Sequence, residues 1–389
     1  MAVAAAVVAA NVHYAQPMLP VMAAQFGVGV GSMGLLPAVT QIGFILGLML
    51  LVPLGDVLER RRLVVLTVAA VALALAATAF APNLPVLMVS GFAVGILTIA
   101  PQLLVPFAAV LAPAGAAGRA SSLVLSGVLL GVLLSKVVAG VVTAAVGWRV
   151  LYAGAAVLMV VCAVVLRLRL PVSRTAGARL GYGALLGSLA RMLRVGALRI
   201  RMLSGALAGA AFMVFWTTYA AHLDAEFGLG PLAAAGVAVA GIAGALASPF
   251  GGRAADAGHL RRALLIGAVL MLAAPLLFWW GHASVFVIVV GAVLLDAGTG
   301  LSHAANQAAA LALDPSSRGR LNSLYVTGYF AGAALGSVAA GVAHGAGGWT
   351  AVCLLGIAIA VAALLVAALP PRLRPSSPEK NQHRSTNRK

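Results

Sequence analysis

The sequence predicts an all-α membrane protein of twelve transmembrane helices. They form two parallel six-helix repeats, with both termini cytoplasmic. Three observations predict it. Of 389 residues, 62% are hydrophobic and 8% charged, whereas a soluble domain carries roughly a quarter charged. Twelve apolar stretches each reach the roughly 20 residues needed to cross the hydrocarbon core. Finally, the chain repeats itself at half its length: Arg119, Gly127, Gly131, Gly140, Gly147 and Trp148 return as Arg320, Gly328, Gly332, Gly341, Gly348 and Trp349, each 201 positions later. A duplicated set of apolar helices is the pattern of a secondary transporter whose substrate site lies between the repeats.

The first half places spans one to six at residues 2–24, 32–53, 63–82, 85–112, 120–145 and 148–170. Span one lacks a basic leader and a cleavage site, so it reads as a retained helix, and it starts so near Met1 that a few upstream residues are expected to be missing. It carries Asn11, His13, Tyr14 and Gln16 before Pro17. Four polar-capable residues so close together are costly in lipid, so some must face the interior. Span four adds Gln102. Span five has Gly127-x3-Gly131 and Gly140, spaced for close helix contact, and also carries Lys136.

Spans seven to twelve follow at 200–221, 232–250, 262–281, 284–312, 321–344 and 349–370. At the repeat counterpart of the polar cluster, span seven offers Phe212, Phe215, Trp216 and Tyr219. Span ten carries Asp296, then His303, Asn306 and Gln307. Tyr325 and Tyr329, one turn apart in span eleven, face either the cavity or the packing. The division expected is an N-terminal bundle at 1–170, a cytoplasmic linker at 171–199, a C-terminal bundle at 200–370 and a disordered basic tail at 371–389.

Orientation comes from charge. Apart from Lys136 and Arg149, the 25 Lys and Arg residues fall in alternate connections or in the tail. That asymmetry is the positive-inside rule, so the net charge of +17 reads as topology and lipid contact, not nucleic-acid binding. Continuous apolar runs exclude the alternating pattern of a β-barrel. Cys162 and Cys353 sit alone inside spans, so no disulfide or metal site is expected. There is no phosphate-binding Gly-rich loop, nucleophile elbow or HExxH, so neither an enzyme nor a cofactor is expected.

After span two, Gly55-Asp56-Val57-Leu58-Glu59-Arg60-Arg61-Arg62 resembles the loop motif of the major facilitator superfamily, and Asp256 with Arg261-Arg262 looks like its weaker copy. Val57 stands where the family usually has a basic residue and Glu59 where it usually has Gly; in the copy, Gly258 comes one place early and His259 follows. The resemblance covers nearly the whole chain. It implies a twelve-helix transporter in which helices one, four, seven and ten line a central cavity. It also implies that Asp56, Arg60, Arg61, Asp256, Arg261 and Arg320 latch the cytoplasmic side, with the acid near the N-terminus of span eleven. The plainer reading is that these residues only anchor the loops. The span-five glycines loosely resemble the family's exporter motif, without its Gly-Pro pair.

Lys136 and Asp296 are the fully charged side chains deep in spans, each about 24 Å from the cytoplasmic face at 1.5 Å per residue. Burying one charge costs about 2.5–3.5 kcal/mol by insertion scales, so each needs a partner or a wet cavity. Asp296 is expected to respond to protons with Lys136 as counter-charge or anion contact; a static pair is the alternative. His13 and His303 are candidate hydrogen-bonding groups without metal-ligand company. The function expected is proton-coupled export of a small amphipathic compound by a monomer in a bacterial inner membrane. Uptake of a polar or anionic metabolite, and a non-transporting sensor, are the alternatives.

Overall fold

The computed structural model describes residues 1–56, 58–113, 117–172, 182–314 and 317–369. The expected tail lies outside the described residues. Among them, every regular element is a helix, and ten helices are long and apolar enough to cross a membrane. Leu73, Leu168 and Phe286 each leave roughly three quarters of their surface exposed (74%, 76% and 75%). Such an apolar exterior suits lipid and not water. The chain is a multi-pass membrane protein.

Two departures separate ten long helices from twelve apolar stretches. The helix Arg318–Ala368 covers both final stretches, and its backbone turns non-helical at Gly347 and Gly348. Gly348 has φ of 60°, a conformation that costs little only without a Cβ. At the other end, span one is not one helix. It runs Ala2–Ala10, unwinds over residues 11–15, makes a 3₁₀ turn at Gln16–Met18 and resumes as Leu19–Phe26. Pro17 supplies no N–H, and Asn11, His13, Tyr14 and Gln16 all lie at the break. Span four breaks between Leu97 and Ala100 ahead of Pro101, and span eight passes through a 3₁₀ turn at Val239–Gly241.

Duplication in the sequence becomes duplication in packing. Span one packs on five as seven packs on eleven; two on four as eight on ten; three on six as nine on twelve. One buried cluster draws on residues between Ala5 and Leu170, and a second on residues between Ala208 and Ala367. Glycines set the closeness. Span one crosses span five with Ala2 and Ala6 over Gly127 and Gly131, and span seven crosses eleven with Met202 and Ala206 over Gly328 and Gly332.

The halves meet along spans two and eleven and along five and eight. A Cβ on Gly341 would lie 2.5 Å from the Gly31 carbonyl oxygen, and one on Gly31 would lie 2.6 Å from that of Gly341. Gly140 is pressed equally against Pro231 and Ala235. At the arginine-rich end, an unexpected linker helix, Tyr182–Met192, inserts Leu189 among Phe44, Leu48, Leu324 and Tyr325 of the two halves.

Gly341→Ala should therefore lower the thermal midpoint in detergent by an amount equivalent to about 1–3 kcal/mol, the range for overpacking. Gly345→Ala, whose Cβ would meet nothing within 4 Å, is the matched control and should leave the midpoint unchanged.

Candidate functional site

The breaks in spans one and eight flank the two buried charges. Lys136 and Asp296 are 3% and 2% exposed, so neither reaches bulk water. Among the described residues they make no ion pair; Trp216 joins them instead. The Lys136 ammonium sits 3.2 Å from the centroid of the Trp216 ring and 4.6 Å from that of Phe212. On its edge, Trp216 Nε1–H donates to Asp296 Oδ1 at 3.2 Å. The other carboxylate oxygen, Oδ2, is buried without a hydrogen bond.

Magnitudes show why all three groups are needed. A desolvated cation–π contact contributes about 2 kcal/mol. Burying an ammonium costs at least about 2.5–3.5 kcal/mol. The ring alone does not hold the cation, so the carboxylate behind it must share the work. Trp216 also transmits: accepting the indole N–H polarises the ring toward greater negative charge on its faces, which strengthens the hold on the ammonium. Lys136 comes from span five and Trp216 and Asp296 from spans seven and ten, so the triad ties the halves together.

Room for the carboxylate comes from span eight. A Cβ on Gly241 would lie 3.7 Å from Asp296 Oδ2, and one on Gly244 would lie 2.8 Å from the Asp296 carbonyl oxygen. The duplicate positions show what is particular to this half. In the first half, spans two and four meet through backbone at Gly95, which packs under the Thr40 carbonyl. Lys136 corresponds to Ser337, whose hydroxyl donates to the Gly34 carbonyl and shares a hydrogen bond with Thr217. One interface between the halves is charged; its duplicate is neutral.

The remaining sequence-predicted residues divide into groups. Gln16 Nε2 donates to Met213 Sδ at 3.3 Å, a contact between spans one and seven. Asn11 Nδ2 donates to the Val8 carbonyl and to Met159 Sδ within the first half. Asn11 Oδ1, His13 Nδ1, Gln16 Oε1 and Gln41 Oε1 are all buried without a partner. Gln102 is partly exposed beside the break in span four. Tyr14, expected to line the cavity, instead meets Tyr152 edge-on inside the first bundle. Phe215 and Tyr219 likewise turn inward: Phe215 stacks on Phe278 at 4.5 Å, and the Tyr219 hydroxyl donates to the Ala234 carbonyl. Of the four aromatics in span seven, Phe212 and Trp216 are the two that meet Lys136 of the opposite half. All four lie on one face of the helix, and Trp216 also packs against Phe215 and Tyr219 in the core of the second half.

Span ten builds a second polar cluster. The Tyr325 hydroxyl donates to the His303 carbonyl at 2.9 Å and lies 3.1 Å from His303 Nδ1, and Tyr329 meets the same imidazole edge-on at 4.4 Å. Asn306 donates to Ser204 Oγ and accepts from Arg201, while Gln307 donates to Asn322. Sequence reading missed Arg201, assigning it to topology, and missed Gln41 altogether. Neither belongs to a motif, and only tertiary contact picks them out.

Of the latch residues, the Asp56 side chain lies outside the described residues, and Asp256 is exposed and makes no ion pair among them. Arg61 and Arg261 cap helix ends in their own halves. Arg61 donates to the Arg167 carbonyl at the end of span six; Arg261 donates to the Ala368 carbonyl, its duplicate, at the end of span twelve. Arg60 Nε donates to the Gly55 carbonyl, and Arg320 to Ser317 Oγ. A guanidinium at a helix C-terminus meets unpaired carbonyls and the negative end of the dipole. Arg149 does the same away from the arginine-rich end, donating to the Ala79 and Ala81 carbonyls. That contact accounts for an arginine on the side where the described residues otherwise carry no Lys or Arg.

Comparison with known proteins agrees with this architecture. The model of the Major Facilitator Superfamily matches residues 1–198 and again 201–389. The chain is 36% identical over 375 residues to the uncharacterized transporter YgaY of Escherichia coli O157:H7, covering 94% of this chain and 93% of that protein. It is 32% identical over 378 residues to a protein of Streptomyces coelicolor named as a probable transporter, covering 97% and 87%. Among solved structures, a bacterial homologue of the human lysosomal transporter Spinster, inward-facing and unoccupied, superposes with a TM-score of 0.74 at 14% identity, over 94% of both chains.

Trp216→Phe keeps a ring under Lys136 and removes the donor to Asp296. It should destabilise the protein by about 1–3 kcal/mol, the cost of an unmade buried hydrogen bond. In an Asp296→Leu background the same change should cost little. Thermal midpoints of the four proteins close that cycle, and equal losses in both backgrounds would refute the coupling.

Proposed function

We propose, on the premise that the chain belongs to the Major Facilitator Superfamily and is a secondary transporter, that it exports a small amphipathic compound in exchange for protons. The observation that carries this reading is the Lys136–Trp216–Asp296 arrangement across the two halves. We take the chain as twelve spans in two bundles, at 1–170 and 200–370, joined by a linker, with both termini cytoplasmic in a bacterial inner membrane.

The residues suggest a cycle. With Asp296 ionised, Lys136 is held on Trp216 and the halves are tied. A proton arriving at Oδ2 neutralises the acid. The N–H···Oδ1 bond then meets a neutral group and weakens, and the ammonium loses the charge that offset its burial. Lys136 leaves the ring, and one half is free to rock past the other. Release of that proton to the opposite side resets the tie. Other titratable neighbours within electrostatic reach are His13, beside Lys136, and Tyr329, beside Asp296. The rocking surfaces are the glycine contacts of spans two with eleven and five with eight, where a backbone face with no Cβ slides without displacing side chains.

The mixed lining suits an amphipathic ligand: Gln16, His13 and Gln41 offer hydrogen bonds, Phe212 and Trp216 apolar area. Export is preferred over uptake of an anion because the lysine that would hold an anion is capped by two aromatic faces, whose negative potential repels one. Asp56 and the arginine loops would then steady the cytoplasmic side of each bundle.

In proteoliposomes with an imposed pH gradient, the parent protein should show proton flux dependent on substrate. Asp296→Asn should abolish gradient-driven accumulation while leaving downhill exchange, because a carboxamide cannot take up the proton. Lys136→Ala should uncouple, leaking protons without substrate. Full gradient-driven transport by Asp296→Asn would remove the acid from the mechanism.

A further inference from the structure

We infer that the Trp216 and Phe212 faces, with Asp296 behind them, form the subsite for the ammonium group of a transported organic amine, and that Lys136 occupies it as an internal stand-in. The inference rests on the proposed reading that this interface opens to the transport path, and it adds the substrate class.

The geometry is that of a cation receptor. Two aromatic faces converge on one ammonium, at 3.2 and 4.6 Å from their centroids. Aromatic faces attract cations whatever their source, and cages of this kind recognise alkylated ammonium groups. A carboxylate stands on the far edge of the ring with one oxygen committed to the indole and the other, fully buried, unpartnered. Its neighbour on span eight is Gly241, which brings no side chain of its own, and a Cβ there would lie 3.7 Å from that oxygen and 3.3 Å from Leu133 Cδ1.

Ownership of the occupant is the second observation. Lys136 belongs to the half opposite the cage, and its repeat counterpart is Ser337, which is satisfied by Gly34 and Thr217. Packing alone would be served by such a hydroxyl. A long, flexible cation reaching across the interface is instead a ligand that can leave while remaining tethered. Substrate ammonium and Lys136 then exclude one another: when the amine takes the cage, the tie between the halves is released. The same site explains proton exchange, because neutralising Asp296 weakens the hold on either cation. The aromatic faces disfavour an anion, and the carboxylate disfavours it further.

The test is equilibrium binding to the purified protein in detergent, using benzyltrimethylammonium and its neutral carbon isostere neopentylbenzene. The charged probe cannot titrate, so the comparison reads charge alone. The cation should bind about tenfold or more tightly than the isostere, and Lys136→Gln should tighten the cation by about a further tenfold while leaving the isostere unchanged. Phe212→Leu, a milder change on a partly exposed ring, should loosen the cation and not the isostere; it supplies the readout if Lys136→Gln fails to fold. Cation affinity indifferent to both substitutions, or equal affinity for the two probes, overturns the inference. Binding needs no gradient, so the two readings fail separately. Loss of proton-driven flux in Asp296→Asn with cation binding indifferent to Lys136 would sink the cage alone. Intact flux with Lys136-dependent binding would sink the coupling alone.

Discussion

A charge inside a membrane protein has to be held by something other than water, and here one indole holds two of them. Trp216 gives its face to Lys136 and its N–H to Asp296. Each contact is modest, and neither ion is satisfied by the ring alone. Their sum is enough to keep a lysine from one half seated in the other. Much of the surrounding structure can be read as provision for this arrangement. Span eight tightens to a 3₁₀ turn at Val239–Gly241 beside the carboxylate, and Phe212 closes the second side of the ammonium. Direct contact of Lys136 with Asp296 would make a stronger pair but a less responsive one. A ring between them keeps the interaction electrostatic and adjustable.

Duplication supplies the frame against which this asymmetry shows. The same helix pairs pack in both halves, with glycines at matching places on spans five and eleven. Those glycines bring backbones close enough that a single methyl group would collide with a carbonyl. Such interfaces have few side chains to reorganise, which suits surfaces that must part and rejoin. At the level of Lys136 and Ser337 the two interfaces between the halves diverge in chemistry, and there the neutral copy is hydrogen-bonded. The natural reading is that one interface serves as a hinge-like seal and the other as the responsive contact.

The sequence made the class, the spans and the repeat legible because each follows from a strong, local signal: apolar length, charge placement and residue identity at a fixed offset. It also singled out Lys136 and Asp296, since a charge in a hydrophobic run stands out without any structure. What joined them was not legible. Trp216 reads as one aromatic among four on a single face of span seven, and only tertiary contact shows that Phe212 and Trp216 meet Lys136 of the opposite half. The break in span one was foreshadowed by Pro17 and its polar neighbours, yet hydropathy alone drew a continuous helix. The linker helix Tyr182–Met192 escaped notice because its apolar face is short and its burial depends on both halves.

The break in span one bears on how the triad could be reset. Asn11, His13 and Gln16 lie where the helix unwinds, and each keeps a buried polar atom without a partner, as does Gln41 on span two. Leaving such groups unpaired costs roughly 1–3 kcal/mol each, so four together favour any state of the protein that gives them partners. A lysine released from Trp216 needs acceptors on its own half, and the carbonyl oxygens of Asn11, Gln16 and Gln41 are acceptors there. An ammonium moving from ring and carboxylate to amide oxygens would exchange one partial solvation for another, keeping the two arrangements close in energy. Near-equality of that kind is what allows a single proton or a single bound cation to decide between them.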